Sequence, residues 1–259
     1  MLGRVFLDID APAGTIIDMG ISEDLNQQGL PYLYKRAQIN SGCRFICDGK
    51  QTRFETFKPY GIRYLLLKIT SPGKAIVTLK KVGVIEQMYP FTKTGSFECS
   101  DPMFNKIREL GWRTLRVCSE DSYTDTPFRE RGLYAGDALP EYAITLATSG
   151  DSRLMKQSLL LFQDMYRDEM ETGVENRHND FILKTLIELF WYYQVTGDTA
   201  FTKSLFPNYA RYLGHLEKNK TAEGYYMGGQ VFLEWTKIPK NADLTAYQAL
   251  LYGSIKTIL

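Results

Sequence analysis

The hydrophobic pattern of this chain changes period once, near residue 100, and that change constrains the fold more than any other feature. Before it, apolar residues alternate as on β-strands. Val5, Leu7 and Ile9 interleave with Phe6, Asp8 and Asp10, and Thr15–Ile21 follows a Pro-Ala-Gly turn. Thr52–Phe57 alternates polar and aromatic residues, and Arg63–Ile69 and Lys74–Leu79 flank a Ser-Pro-Gly turn. Short strands with regularly spaced turn signals predict a jelly-roll-like β-sandwich.

After the change, helical spacing takes over. Ser100-Asp101-Pro102 is a helix start, a capping side chain followed by proline in the first turn. Met103, Ile107, Leu110, Thr114, Leu115 and Cys118 follow on one face. Asp137 opens a second helix, with Leu139, Tyr142, Ala143 and Leu146 on one face. Asp151 caps a third burying Leu154, Leu161, Phe162 and Met165. A fourth begins near Asp180, with Leu183, Leu186, Ile187, Phe190 and Tyr193. Gly197 stops it and Asp198 caps a fifth, with Phe201, Leu205, Tyr209, Tyr212 and Leu216. A sixth runs from about Leu244 through Tyr247, Leu250, Leu251 and Ile258. Short loops between helices predict antiparallel hairpins. The expected organisation is a β-sandwich over 1–88, a linker over 89–99 and a helical domain over 100–259.

Charge and cysteine content narrow the function classes. Lys and Arg number 31 against 30 Asp and Glu, scattered along the chain, so nothing draws it to nucleic acid or to an anionic membrane. No stretch reaches the length of a transmembrane span. Met1–Asp8 lacks the basic start, apolar core and cleavage site of a signal peptide, so a cytoplasmic protein is expected if Met1 is the native start. Cys43, Cys47, Cys99 and Cys118 do not follow zinc-site spacing, and only two histidines are present. Neither a metal nor a cofactor is expected. His178 and His215 lack partners at triad spacing, and Gly228-Gly229 lacks the following lysine of a phosphate loop. The 17 tyrosines suit a sugar-binding protein and half-buried helices equally.

Thr124–Ala138 reads Thr-Asp-Thr-Pro-Phe-Arg-Glu-Arg-Gly-Leu-Tyr-Ala-Gly-Asp-Ala and concentrates the chemistry. Proline biases the preceding residue toward extended or turn geometry, and the segment then enters a helix. Glu130 lies between Arg129 and Arg131, with Asp125 and Asp137 on either side. Surroundings of this kind can separate the ionisation of neighbouring carboxyls, as glycoside hydrolysis requires. Solvated surface ion pairs would account for the same charges, and a helix N-cap for Asp137.

The order Asp-x-Pro-x-Arg-Glu-Arg-x-x-aromatic-x-Gly-Asp resembles the signature of bacterial α-L-rhamnosidases, a glycoside hydrolase family 78-like group with an (α/α)6 six-hairpin barrel. Ala11–Thr15 and Pro59–Leu65 are similar to the β-sandwich preceding that barrel. The resemblance implies an inverting hydrolase of terminal α-L-rhamnosides, with Glu130 as general acid and a rhamnose-containing glycoside or oligosaccharide as partner. It implies that Asp125 and Asp137 bind sugar hydroxyls. One of Arg129 and Arg131 would steady a carboxylate or touch the sugar. Tyr134 stands where many relatives carry tryptophan and would pack on the sugar's apolar side, with core packing as the competing role. Trp235, in the pair Glu234-Trp235, would form another wall. Asp180 matches a family position too, and a helix cap explains it equally well.

The family barrel has twelve helices, and the pattern here supports about six. The family's general base is a glutamate well over two hundred residues beyond the acid, a place past Leu259, so no base is assigned. By itself the chain is expected to be inactive or nearly so, and apolar helix faces without partners would favour oligomers or poor solubility. Two other readings fit the pattern: an (α/α)6 glycosidase for a different sugar, and a carbohydrate-binding relative without turnover.

Overall fold

The structure is a computed structural model that describes residues 1–31, 41–173, 179–226, 231–233, 235 and 240–257, with side chains omitted over 240–244. His178, Gly228, Gly229, Glu234, Ile258 and the side chain of Leu244 lie outside the described residues. The chain divides into two compact units. One comprises Met1–Pro90, Glu109–Glu120 and Thr124–Gly132, and the other Phe91–Arg108, Asp121–Tyr123 and Leu133–Leu259.

The first unit is a two-sheet sandwich. β1 (Leu2–Asp10) is the centre of one sheet. It pairs antiparallel with β4 (Thr52–Glu55) and β5 (Tyr60–Gly61), and also with β7 (Thr78–Glu86). The other sheet has the order β3 (Gly42–Ile46), β2 (Ile16–Ser22), β6 (Tyr64–Thr70). The alternation read from the sequence is what builds the core. Val5, Leu7 and Ile9 of β1 meet Ile17, Met19 and Ile21 of β2, all of them buried.

Two details depart from the sequence pattern. The Ser71-Pro72-Gly73 turn does not close a hairpin, because β6 pairs with β2 while the next strand pairs with β1. That strand begins at Thr78 rather than Lys74, and Ile76 is exposed. The strand predicted over 52–57 ends at Glu55, and Phe57 is fully exposed. Thr56 turns inward instead, its hydroxyl accepting the Val5 N–H at 3.0 Å.

The helical segments number seven among the described residues. α1 (Pro102–Val117) starts as expected, with Asp101 Oδ1 accepting the Met103 N–H at 2.8 Å. Its predicted face is only partly buried. Leu115 and Cys118 are covered, whereas Met103, Phe104, Ile107 and Leu110 are exposed. α2 spans Ala135–Thr148. The third predicted helix is α3 (Arg153–Met165), and a short helix that the sequence pattern did not mark, α4 (Arg167–Thr172), follows Tyr166. Asp151 accepts the Arg153 N–H, but Ser152 is the residue at the N-cap. Met165 is exposed, and Met155 and Leu159 join Leu154 and Phe162 on the buried face.

α5 (Asn179–Thr196) packs with α2, α3 and α6 (Thr199–Lys218), and also with α7 (Lys240–Lys256). Neighbours on several sides explain why burial on α5 is not confined to one stripe. Phe181, Ile182, Leu183, Leu186, Leu189 and Tyr192 are all covered, while Tyr193 is exposed. Gly197 at φ +65 ends α5, and Asp198 Oδ1 accepts the Phe201 N–H at 3.1 Å to cap α6 (Thr199–Lys218). The α6 face Phe201, Leu205, Tyr209, Tyr212, Leu216 is buried as the spacing predicts.

Within this core Glu188 of α5 is fully buried, and neither carboxyl oxygen has a hydrogen-bond partner among the described residues. Burial pushes its pKa well above the ordinary value of 4.5; Glu141 adds to the rise and Lys184 opposes it. A folded-state pKa above the unfolded one gives stability that is fully present below 4.5 and is lost as pH rises through the folded value. Glu188→Gln should therefore flatten the decline of urea-unfolding stability above pH 4.5, where the wild-type carboxyl contributes a slope of up to about tenfold in the folding constant per pH unit. Identical slopes in the two proteins would show that Glu188 ionises without penalty.

Candidate active site

Loop 124–132, the first part of the signature, is clamped at several points. The Thr124 N–H and hydroxyl both donate to the Cys118 carbonyl, at 2.8 and 3.2 Å. The Asp125 N–H donates to the Gly132 carbonyl at 3.0 Å, and Asp125 Oδ1 accepts the Gly132 N–H at 2.8 Å. The loop is thus closed on itself. Phe128 is 6% exposed and sits in the sandwich core with Val5, Tyr60 and Ile62.

Gly61 is what lets the loop come so close to the sandwich. A β-carbon there would lie 2.8 Å from the Pro127 carbonyl carbon and 3.0 Å from Phe128 Cβ. The segment Pro59–Leu65 and the signature loop, two separate points of resemblance in the sequence, therefore meet in space. Arg131 completes the attachment. Its Nη1 donates to the Pro59 carbonyl at 2.9 Å and its Nη2 to Glu120. Arg131 also holds φ +52, a left-handed conformation uncommon for a residue with a side chain. Of the two arginines, Arg131 belongs to the scaffold. Its guanidinium is already bonded there rather than presented to a ligand.

Arg129 and Glu130 remain at the exposed tip. Their side chains are 59% and 41% exposed, with Arg129 Nη2 3.4 Å from Glu130 Oε1. An exposed pair of this kind adds little to stability. Glu130 is thus held by the backbone of a clamped loop rather than by burial of its own carboxyl.

The second part of the signature belongs to the helical unit. Tyr134, half-buried, occupies the N-cap of α2 with extended backbone and makes no side-chain cap bond. Asp137 is not the N-cap that the sequence allowed. It lies in the first turn, exposed, where the helix dipole favours negative charge. Beside it, Gly136 packs so closely on α5 that a β-carbon would come 2.8 Å from Phe181 Cζ and 3.3 Å from Lys184 Nζ. Phe181 meets Phe232 edge-on at 5.8 Å, and Phe232 meets Trp235 edge-on at 5.0 Å. Trp235 itself is 85% exposed. Asp180 does not cap α5; its buried carboxylate accepts the N–H groups of Phe232 and Leu233.

Asp125, Arg129, Glu130 and Arg131 therefore share one clamped loop, and the helix carrying Asp137 is linked by ring packing to the segment carrying Trp235. Sequence reasoning missed Phe128, Gly61 and Glu120 as the loop's anchors, and Lys184 beside Asp180. The four-residue spacing of Asp180 and Lys184 on a helix was the one available signal. Among the described residues no three His, Cys, Asp or Glu side chains cluster as metal ligands.

A family model described as the bacterial alpha-L-rhamnosidase 6 hairpin glycosidase domain matches residues 92–250. The chain is 27% identical over 266 aligned residues to an alpha-L-rhamnosidase of Streptomyces avermitilis, covering 96% of this chain and 25% of the relative. Among solved structures, a GH78 family rhamnosidase of Bacillus sp. GL1 matches with a TM-score of 0.82 and 22% identity, over 99% of this chain and 29% of that one. A rhamnosidase from Klebsiella oxytoca with rhamnose bound matches with a TM-score of 0.80 and 18% identity, over 99% and 54%. The chain thus spans a quarter of the length of the Streptomyces relative. The structural likenesses bear on the fold: an N-terminal β-sandwich followed by part of an (α/α)6 barrel.

The anchoring makes a stability prediction for the β unit. Phe128→Ala should destabilise it by about 3–5 kcal/mol, the usual effect of truncating a buried aromatic. Gly61→Ala should do so by about 1–3 kcal/mol, through overpacking against the loop backbone. Urea unfolding of the purified variants measures both, and wild-type stability in Gly61→Ala would show that the loop yields without strain.

Proposed function

This chain belongs to the bacterial α-L-rhamnosidase six-hairpin glycosidase family, and on that premise we propose that it supplies the general acid and part of the sugar site of an inverting α-L-rhamnoside hydrolase. The observation that carries the reading is the clamped loop. Asp125, Phe128 and Arg131 hold its backbone, and Glu130 is left exposed at its tip, where a glycosidic oxygen can reach it.

In this reading Glu130 gives its proton to the leaving oxygen as the bond from that oxygen to the anomeric carbon breaks. A water adds from the opposite face of the sugar, its proton taken by a base about 6.5–9.5 Å from the acid. No residue of this chain is assigned as that base. Asp137, exposed in the first turn of α2, would accept hydrogen bonds from sugar hydroxyls. Asp125 would do the same only through the oxygen that does not close the loop. Arg129 is the arginine with an exposed guanidinium and the better placed of the two to contact sugar. Tyr134 and Trp235 would offer apolar faces to the ring and to the methyl group that distinguishes rhamnose.

Two measurements test the proposal. Saturation-transfer NMR should detect L-rhamnose on the chain, with loss of signal in Trp235→Ala and Asp137→Ala and no response to glucose. In a protein that joins this chain to a segment supplying the base, Glu130→Gln should lower hydrolysis of an alkyl α-L-rhamnoside about 10²–10⁴-fold, the range for removing a general acid, with rhamnose affinity kept. Rhamnose binding without any turnover dependent on Glu130 would favour a carbohydrate-binding role instead.

A further inference from the structure

We propose that Asp180 is the positioning residue for the segment that carries Trp235. The part of the inference that concerns sugar rests on the function proposed above; the part that concerns the segment rests on geometry alone.

Asp180 is fully buried near the start of α5. An N-capping carboxylate would accept an N–H two or three residues further along its own helix. Asp180 instead reaches across the chain. Its Oδ1 accepts the Phe232 N–H at 2.8 Å and its Oδ2 the Leu233 N–H at 3.2 Å. Two successive backbone N–H groups converging on one anion make the arrangement of a nest. A buried carboxylate needs such donors, because leaving water uncompensated is costly. The Lys184 ammonium, 3.3 Å from Oδ2, supplies the opposing charge and also lies over the Phe181 ring at 4.5 Å.

The segment needs an external restraint. Leu233 holds φ +50, a left-handed conformation that a leucine avoids unless its surroundings impose it. The two bonds from Asp180 fall on this residue and the one before it. The restraint then passes to the indole by packing. Phe232 is set edge-on against Phe181 on one side and against Trp235 on the other, at interplanar angles of 87° and 84°. Trp235 is left 85% exposed. An aromatic side chain held in place while facing solvent is arranged for a ligand, since its ordering no longer opposes binding.

Asparagine cannot substitute. The two N–H groups rest on different carboxylate oxygens, so in the same pose the amide nitrogen would replace one of them and face an N–H, donor against donor. Lys184 would also lose its counter-charge.

Fluorine NMR of protein labelled with 5-fluorotryptophan tests this. The chain has three tryptophans, Trp112, Trp191 and Trp235, and Trp235→Phe identifies the Trp235 line by its loss. Asp180→Asn should shift or broaden the Trp235 line, leave the Trp112 and Trp191 lines in place, and raise several-fold the L-rhamnose concentration that half-saturates the Trp235 shift. An unchanged Trp235 line in Asp180→Asn would overturn the proposal. Should that variant fail to fold, amide exchange in the wild-type protein decides: protected Phe232 and Leu233 N–H groups support the anchor, and exchange at unprotected rates overturns it. If L-rhamnose leaves the wild-type Trp235 line unmoved while Asp180→Asn still displaces it, the anchor stands and the sugar reading fails.

Discussion

The burial of Phe128 in the sandwich core is the contact on which the signature loop depends. Fully burying such a ring contributes about 1.5–3 kcal/mol. The exposed Arg129–Glu130 pair contributes about 0–1 kcal/mol. Packing, and not the cluster of charges, therefore sets where the loop lies. Gly61 permits the approach by having no side chain, and Arg131 ties the far end of the loop to Glu120 and Pro59. The β unit is thus the mount for the proposed proton donor.

The carboxyl groups of this chain illustrate how surroundings divide one functional group among several tasks. Asp125 closes a loop with one oxygen. Asp180 is buried and saturated with donors, so it works as a clamp. Glu188 is buried with no hydrogen-bond donor among the described residues, and burial pushes its pKa well above the ordinary value. Glu130 and Asp137 face solvent, the condition a group must meet to touch a substrate. Residue type alone does not distinguish these roles; exposure and donor count do.

The helices have apolar faces that other groups could cover. Met103, Phe104, Ile107 and Leu110 lie exposed along α1. A groove of about 400 Å³ is lined by Leu186, Leu189, Phe190, Tyr193 and Phe206 between α5 and α6. Both are consistent with a helical barrel of which this chain forms a part, and with the share of its relatives' length that the chain spans. They also explain why helix periodicity was a good guide to where helices run and a poorer guide to burial. A face that the pattern marks as apolar is buried only if something packs on it, as happens for α6 and not for most of α1.

What the sequence determined by itself depends on neighbours along the chain. That includes the switch from strand to helix, the β1 and β2 core residues, the Asp101 and Asp198 caps, the Gly197 stop and the order of residues that marks the family. Periodicity and capping are local, so a single sequence carries them. Tertiary structure decided what depends on residues far apart. It paired β6 and β7 with different sheets, bound Arg131 to the scaffold, and set Asp180 on a segment 52 residues away. The physical reason is the same in each case. A side chain's role is set by which donor, ring or cavity it meets on folding, and spacing in the sequence does not specify that partner.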